Sequence, residues 1–163
     1  MQLGVLDGTE VLFLERLSAP AAVISYTRIA GRLPLHASAS GLALLAHSPR
    51  SFQESVLAGR LEKFTERTVT SPAVLRVSLA EVRSKGVAYC PGHIHEEALS
   101  LAVPVFDRKT KPVAAVGVIV PMNTAVGQSI APALMATARG ISRAMTGRAL
   151  AVPPPGRHER TED

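Results

Sequence analysis

The densest group of coordinating and proton-transferring side chains in the sequence is Cys90-Pro-Gly-His93-Ile-His95-Glu96-Glu97. Two readings fit these residue types. In an extended segment His93 and His95 face the same side, and Cys90 can approach them around Pro91-Gly92. That gives a sulfur and nitrogen donor set suited to zinc, with Glu96, Glu97 or water completing it. The usual zinc spacings are absent, however, and we favour an exposed polar loop in which Cys90 is small and partly buried. A Cys90–His93 thiolate pair would need an orienting third group and an oxyanion hole, and the sequence identifies neither. No serine sits in a Gly-x-Ser-x-Gly elbow, and neither a glycine-rich phosphate loop nor a dinucleotide fingerprint after a strand is present. The expectation is a binding protein rather than an enzyme, with no cofactor.

A different chemistry is offered by Gly31-Arg-Leu-Pro-Leu-His-Ala-Ser-Ala-Ser-Gly-Leu-Ala-Leu-Leu-Ala46, which passes from a Gly and Pro loop into an apolar helix. Pro34 biases Leu33 away from helical geometry, Ser38 is a favourable N-cap, and Ala43 to Ala46 are uncharged helix formers, so the helix should be buried. Its first amides, at Ala39, Ser40 and Gly41, have no preceding turn to supply acceptors. Small residues there let another group approach the backbone, and such a helix end holds an anion. The plain alternative is an ordinary capped core helix.

The remaining elements must position these two stretches. Apolar segments Gln2 to Leu6 and Val11 to Leu17 flank Asp7-Gly8-Thr9, a strong turn signal, and predict a β-hairpin. Ala22 to Arg28, with Val23, Ile24, Tyr26 and Thr27, predicts a third strand after Pro20. Ser48 or Ser51 can cap a short helix that ends near Leu57, with Ala58-Gly59 as its stop. A second helical piece is expected from about Leu61, cut short by Thr65, Thr68, Thr70 and Ser71 ahead of Pro72. Ala73 to Lys85 places Leu75, Leu79 and Val82 at helical spacing and ends at Gly86. Val87 to Tyr89, Leu99 to Phe106 and Val113 to Val120 read as strands, the last two joined by a polar turn at Asp107 to Lys111. Gln128 to Thr146 closes the domain as a helix, where Pro132 is tolerable near the first turn. This order predicts an α+β domain with a largely antiparallel sheet over residues 1–147, followed by a disordered proline-rich tail over 148–163.

Pro34-Leu-His-Ala-Ser-Ala-Ser-Gly-Leu-Ala-Leu-Leu-Ala46, followed downstream by Leu101-Ala-Val-Pro-Val-Phe-Asp107 and Val113-Ala-Ala-Val-Gly-Val118, resembles the effector-binding domain of IclR-type transcriptional regulators. Val5 to Arg16 resembles the opening hairpin of that domain, and Phe64-Thr-Glu-Arg-Thr68 its middle linker. The resemblance runs from about Met1 to Gly147. It implies a GAF-like fold, a curved sheet covered by helices around a small-molecule pocket. In members that bind small carboxylates, amides at the positions of Ala39 and Ser40 receive the acid. Further effector contacts fall on Cys90, Ser100, Gly117 and Ile119. Several of these depart from the family pattern. An acidic residue is usual at Cys90, serines at Gly117 and Ile119, a glutamate at His93 and a lysine at Leu42. Losing two hydroxyls to Gly and Ile removes donors and adds apolar surface, which points to a more apolar effector or to none.

Composition agrees with one sizeable core, since 47% of the 163 residues are hydrophobic. Apolar runs fall short of the roughly 18 residues that cross a bilayer, and the single Cys90 allows no internal disulfide. A soluble, intracellular (cytoplasmic) protein without a membrane partner is expected. The net charge of +5 is scattered and aromatic content is 4%, so the chain itself is not expected to read DNA. By the resemblance, DNA is reached only through a winged helix-turn-helix missing from this chain, and the domain assembles as a homodimer or tetramer. The expected function is sensing of a small organic effector, probed against two alternatives: a structural or oligomerisation module with a degenerate pocket, and a metal-binding sensor.

Overall fold

The computed structural model describes residues 1–18, 29–122 and 126–147. The first hairpin forms as its turn signal requires, with β1 (Gln2–Asp7) and β2 (Glu10–Arg16) paired antiparallel around Gly8 and Thr9. The strand expected over Ala22 to Arg28 lies outside the described residues. A short β3 (Arg32–Pro34) pairs with β2 in a stretch read from sequence as loop.

The apolar stretch then forms α1 (Ala39–Ala46), and all eight of its residues are buried. α2 (Arg50–Ala58) follows, but neither serine caps it. Its N-cap is Pro49, which makes no side-chain cap bond, and the Ser48 hydroxyl donates instead to the Leu44 carbonyl at 2.8 Å, finishing α1. The helical piece expected from Leu61 does not form. The hydroxyl of Thr68 accepts from the amides of Phe64 and Thr65 at 3.1 and 2.9 Å, which folds this stretch into a turn. α3 (Pro72–Lys85) starts with Pro at its head and stops at Gly86, whose left-handed φ of 71° is open to glycine at little cost.

β4 (Ala88–Pro91), β5 (Ala98–Phe106) and β6 (Pro112–Pro121) complete what is, among the described residues, an antiparallel six-stranded sheet in the order β3-β2-β1-β6-β5-β4. The closing helix α4 (Val126–Gly147) begins two residues earlier than expected. Pro132 therefore lies past the first turn, where it leaves one carbonyl of the preceding turn without its helical partner. The curled sheet carries α1 and α3 on one face and α4 on the other, an α+β, GAF-like architecture. Leu35, Leu42, Leu44, Leu45, Leu75 and Leu79 fill the core on the α1 side, and Val103, Val105, Val116, Leu134 and Ala138 fill the core under α4.

Candidate functional site

The strand register lines up the predicted positions. Cys90 pairs with Ser100 and Ser100 with Ile119, so these three form one row across β4, β5 and β6. Ala88, Ala102, Gly117 and Gln2 form the next row on the same face. Paired residues share a face of the sheet, so this side carries small and polar groups wherever the strands pass beneath the start of α1.

The helix sits down on that surface because of two glycines. At Gly41 a Cβ would come within 2.5 Å of the Leu35 Cα and 2.6 Å of the Ser38 hydroxyl, so only glycine lets the loop fold back over the helix start. At Gly117 a Cβ would lie 3.0 Å from the Leu101 carbonyl and 3.2 Å from the Ser40 hydroxyl, so the missing side chain is what brings α1 close to β6. Ser38 caps the helix as expected, accepting from the Gly41 amide at 3.1 Å and donating to the Pro34 carbonyl at 3.0 Å. Gly41 is thus removed from the amides open to a ligand, leaving those of Ala39 and Ser40.

Between this helix end and the sheet lies a pocket with about 520 Å³ of empty space, the open solvent at its mouth included. All six predicted positions, Ala39, Ser40, Cys90, Ser100, Gly117 and Ile119, line it. Leu42, the place of the family lysine, is buried in the core instead. Sequence reasoning missed Gln2 and Phe13 as lining residues; it placed His93 at the family's glutamate and also read it, with His95, as loop or metal ligand, and both border the pocket together with Ile94. Gln2 carried one faint signal, a polar residue opening an apolar strand. Among the described residues that line the pocket there is no Lys, Arg, Asp or Glu.

Burial dominates the site's electrostatics. Cys90 is 1% exposed, and burial pushes its thiol far above the ordinary value, so it is a neutral wall group rather than a thiolate. The expectation of a partly buried Cys90 in an exposed loop is corrected: it lies within β4, and its carbonyl accepts from the Ser100 hydroxyl at 3.4 Å. His93 is buried, and its pKa is lowered by burial first and by nearby His36 second. His95 is shifted down by burial as well. Among the described residues no three His, Cys, Asp or Glu side chains are grouped to hold a metal ion. A wider groove elsewhere, bordered by Arg50, Arg76 and Arg83, is open to solvent, and its charges are partly spent on Glu54 and the Ala46 carbonyl.

A curled sheet with an uncharged pocket under a helix start is an arrangement that can hold a small molecule. The C-terminal domain model of the bacterial transcriptional regulator IclR matches residues 1–143, and the chain belongs to this family of transcriptional regulators. It is 33% identical over 150 residues to the HTH-type transcriptional regulator BhcR of Paracoccus denitrificans, covering 90% of this chain and 54% of that protein. Against the HTH-type transcriptional regulator XynR of Escherichia coli it is 34% identical over 114 residues, 69% of this chain and 45% of the relative. The chain thus spans about half the length of the curated relatives it matches. Among solved structures, an IclR homolog from Microbacterium hydrocarbonoxydans complexed with 4-hydroxybenzoate superposes with a TM-score of 0.84 at 42% identity, covering 88% of this chain and 59% of the other. Thermotoga maritima IclR does so with a TM-score of 0.83 at 26% identity, covering 88% and 60%. Among the described residues no helix is long and apolar enough to cross a membrane.

Proposed function

We propose that this chain is the effector-sensing part of a transcriptional regulator, and that its effector is an amphipathic organic acid, aromatic or of medium chain length. The acid group sits at the amides of Ala39 and Ser40, where the helix end favours negative charge, and the apolar body lies against Ile119, Phe13 and Leu33. The single observation that carries this reading is the convergence of six positions from four separate elements on one uncharged pocket. The 4-hydroxybenzoate complex of a protein 42% identical supports an aromatic acid. Occupancy alters the arrangement of a homodimer or tetramer, and through it the grip on DNA of a winged helix-turn-helix outside this chain. The whole acts in the cytoplasm, where its operator is.

The test is a thermal-shift and calorimetry panel of benzoate, 4-hydroxybenzoate and hexanoate against pyruvate and glyoxylate. The larger acids should raise the melting temperature and bind more tightly. A preference for the two small keto acids, or no response to any acid, would overturn the proposal. In a mobility-shift experiment the chain alone should not retard the gene's upstream region specifically, because its positive charge is dispersed and no reading helix is present among the described residues.

A further inference from the structure

We infer that Gln2 selects the effector by its head group: across the gap left by Gly117, the Gln2 side-chain N–H donates to an ionised acid held at the start of α1. This rests on the reading of the pocket as the effector site. Gln2 is 7% exposed and lines the pocket, and its carboxamide makes no hydrogen bond among the described residues. Among those residues the one buried side-chain polar atom that lacks both surface and partner is His93 Nδ1, so the polar atoms of Gln2 stay open to a visitor. Buried polar groups in folded proteins are nearly always paired, so an open, unpaired carboxamide lining a cavity marks a place where something else supplies the bond.

The sheet fixes where that carboxamide stands. Gln2 pairs with Arg16 of β2 on one side and with Gly117 of β6 on the other. Side chains of register partners start only roughly 4.5–5.5 Å apart, and Gly117 brings none. The place its Cβ would take lies 3.2 Å from the Ser40 hydroxyl, so Gln2 and Ser40 border the same gap, beside the amides of Ala39 and Ser40. Other buried polar side chains are engaged: His36 Nε2 bonds the Glu62 carbonyl at 2.9 Å, Ser38 caps α1, and the Thr68 hydroxyl donates to the His93 carbonyl at 2.6 Å. The Ser40 hydroxyl, in a residue 5% exposed, is unpaired like Gln2. Neighbouring cations are turned to other partners. Arg16 Nε donates to the Ser18 hydroxyl at 2.8 Å and the Met1 ammonium to the Leu17 carbonyl at 2.7 Å, and neither residue lines the pocket.

A count of donors then assigns the role. A carboxylate offers about four lone-pair sites and no donor. The two helix amides take two of them, and no Lys or Arg lines the pocket among the described residues to take the rest. A buried charge short of donors is costly. Gln2 turns its N–H to the acid and the Ser40 hydroxyl rotates to donate, which completes the set with neutral groups. The primary amide of the same acid brings an N–H of its own against these donors and loses the charge that they are arranged to hold. Gln2 therefore separates an ionised acid from its uncharged isostere, whatever the shape of the body that follows.

Calorimetry on the 163-residue chain with benzoate and benzamide, which differ only in the head group, tests this at about pH 8. Wild type should bind benzoate about tenfold more tightly than benzamide, equivalent to about 1.4 kcal/mol. Gln2→Leu, close in volume and without a donor, should weaken benzoate about tenfold. Gln2→Glu sets a carboxylate against the acid but an acceptor before an amide, so it should weaken benzoate further, keep benzamide, and turn the order round. Nitrogen-15 NMR of the glutamine side-chain amides gives a readout that needs no variant, since the Gln2 pair should shift with benzoate. If benzoate binds but Gln2→Leu holds it as wild type does, if Gln2→Glu weakens both compounds alike, or if the Gln2 pair does not shift, the inference is wrong while the pocket reading stands. If no acid binds, the pocket reading fails and the role of Gln2 falls with it.

Discussion

The two faces of the β5–β6 hairpin are built from alternate residues of the same strands, yet they do different work. Facing α4 are Val103, Val105 and Val116, packed against Ala131, Leu134 and Ala138. Facing α1 are Ser100, Ala102, Gly117 and Ile119, with Cys90 and Gln2 beside them in register. Branched side chains of one size fill the first face, and the small and polar residues of the second leave room beneath the helix. Both parities of the strands contribute to a core, but only the one facing α1 also lines the pocket that we propose holds the effector.

The sharpest way to break that comparison is to remove the same volume on either side. Leu134→Ala under α4 and Leu45→Ala in α1 should each cost about 2–5 kcal/mol in denaturant unfolding, since both side chains are buried. Only Leu45→Ala should also weaken binding of 4-hydroxybenzoate, because it loosens the helix that presents the Ala39 and Ser40 amides. Equal loss of affinity in both would show that the faces are not separable. Next in size is Gly117→Ala. Its Cβ would press on the Leu101 carbonyl and the Ser40 hydroxyl, costing about 1–3 kcal/mol and lifting α1 off the sheet, whereas a glycine without a close neighbour would tolerate the change. Urea unfolding and titration of the same protein measure both effects.

Ile119→Ser should leave stability nearly unchanged and act on selectivity instead. Each CH2 buried against Ile119 contributes about 0.8 kcal/mol, so losing that wall and gaining a hydroxyl should turn the preference from aromatic or medium-chain acids toward pyruvate or glyoxylate. Calorimetry with both classes decides, and unchanged affinities would remove this strand from the pocket. The smallest effect is a pH slope. The folded pKa of His93 lies below its ordinary 6.5, so below that value the unfolded chain binds the extra proton first. The contribution is complete above about pH 6.5 and is lost as pH falls through the folded pKa. Urea midpoints compared between pH 7.5 and 5 should fall further for wild type than for His93→Gln.

Elements with local punctuation were readable from sequence, and those decided at a distance were not. Ser38 before an apolar run, Asp7-Gly8, Pro72 and Gly86 each act within a few residues, and the helices and turns they mark are present. Leu61 to Ser71 misled because Thr65 and Thr68 spend their hydroxyls on neighbouring amides and on carbonyls more than 20 residues away. β3 escaped because three residues carry no periodicity and depend on pairing with β2. The six pocket positions were reached by resemblance to a family. His93 was reached the same way, at the place of the family glutamate, whereas Gln2 needed the strand register, which no local pattern encodes.

The two threonine hydroxyls that grip Gly92 and His93 also bear on how fast the pocket exchanges its contents. They tie His93, Ile94 and His95, which border the pocket, to a turn far away in sequence, so if a ligand is held against them, opening of that clasp should help set how fast it leaves. The clasp touches neither the helix amides nor the apolar wall, and weakening it speeds arrival and departure together. Thr68→Val should shorten the residence time of a bound acid while leaving its equilibrium affinity almost where it was, which would make signal duration adjustable separately from sensitivity.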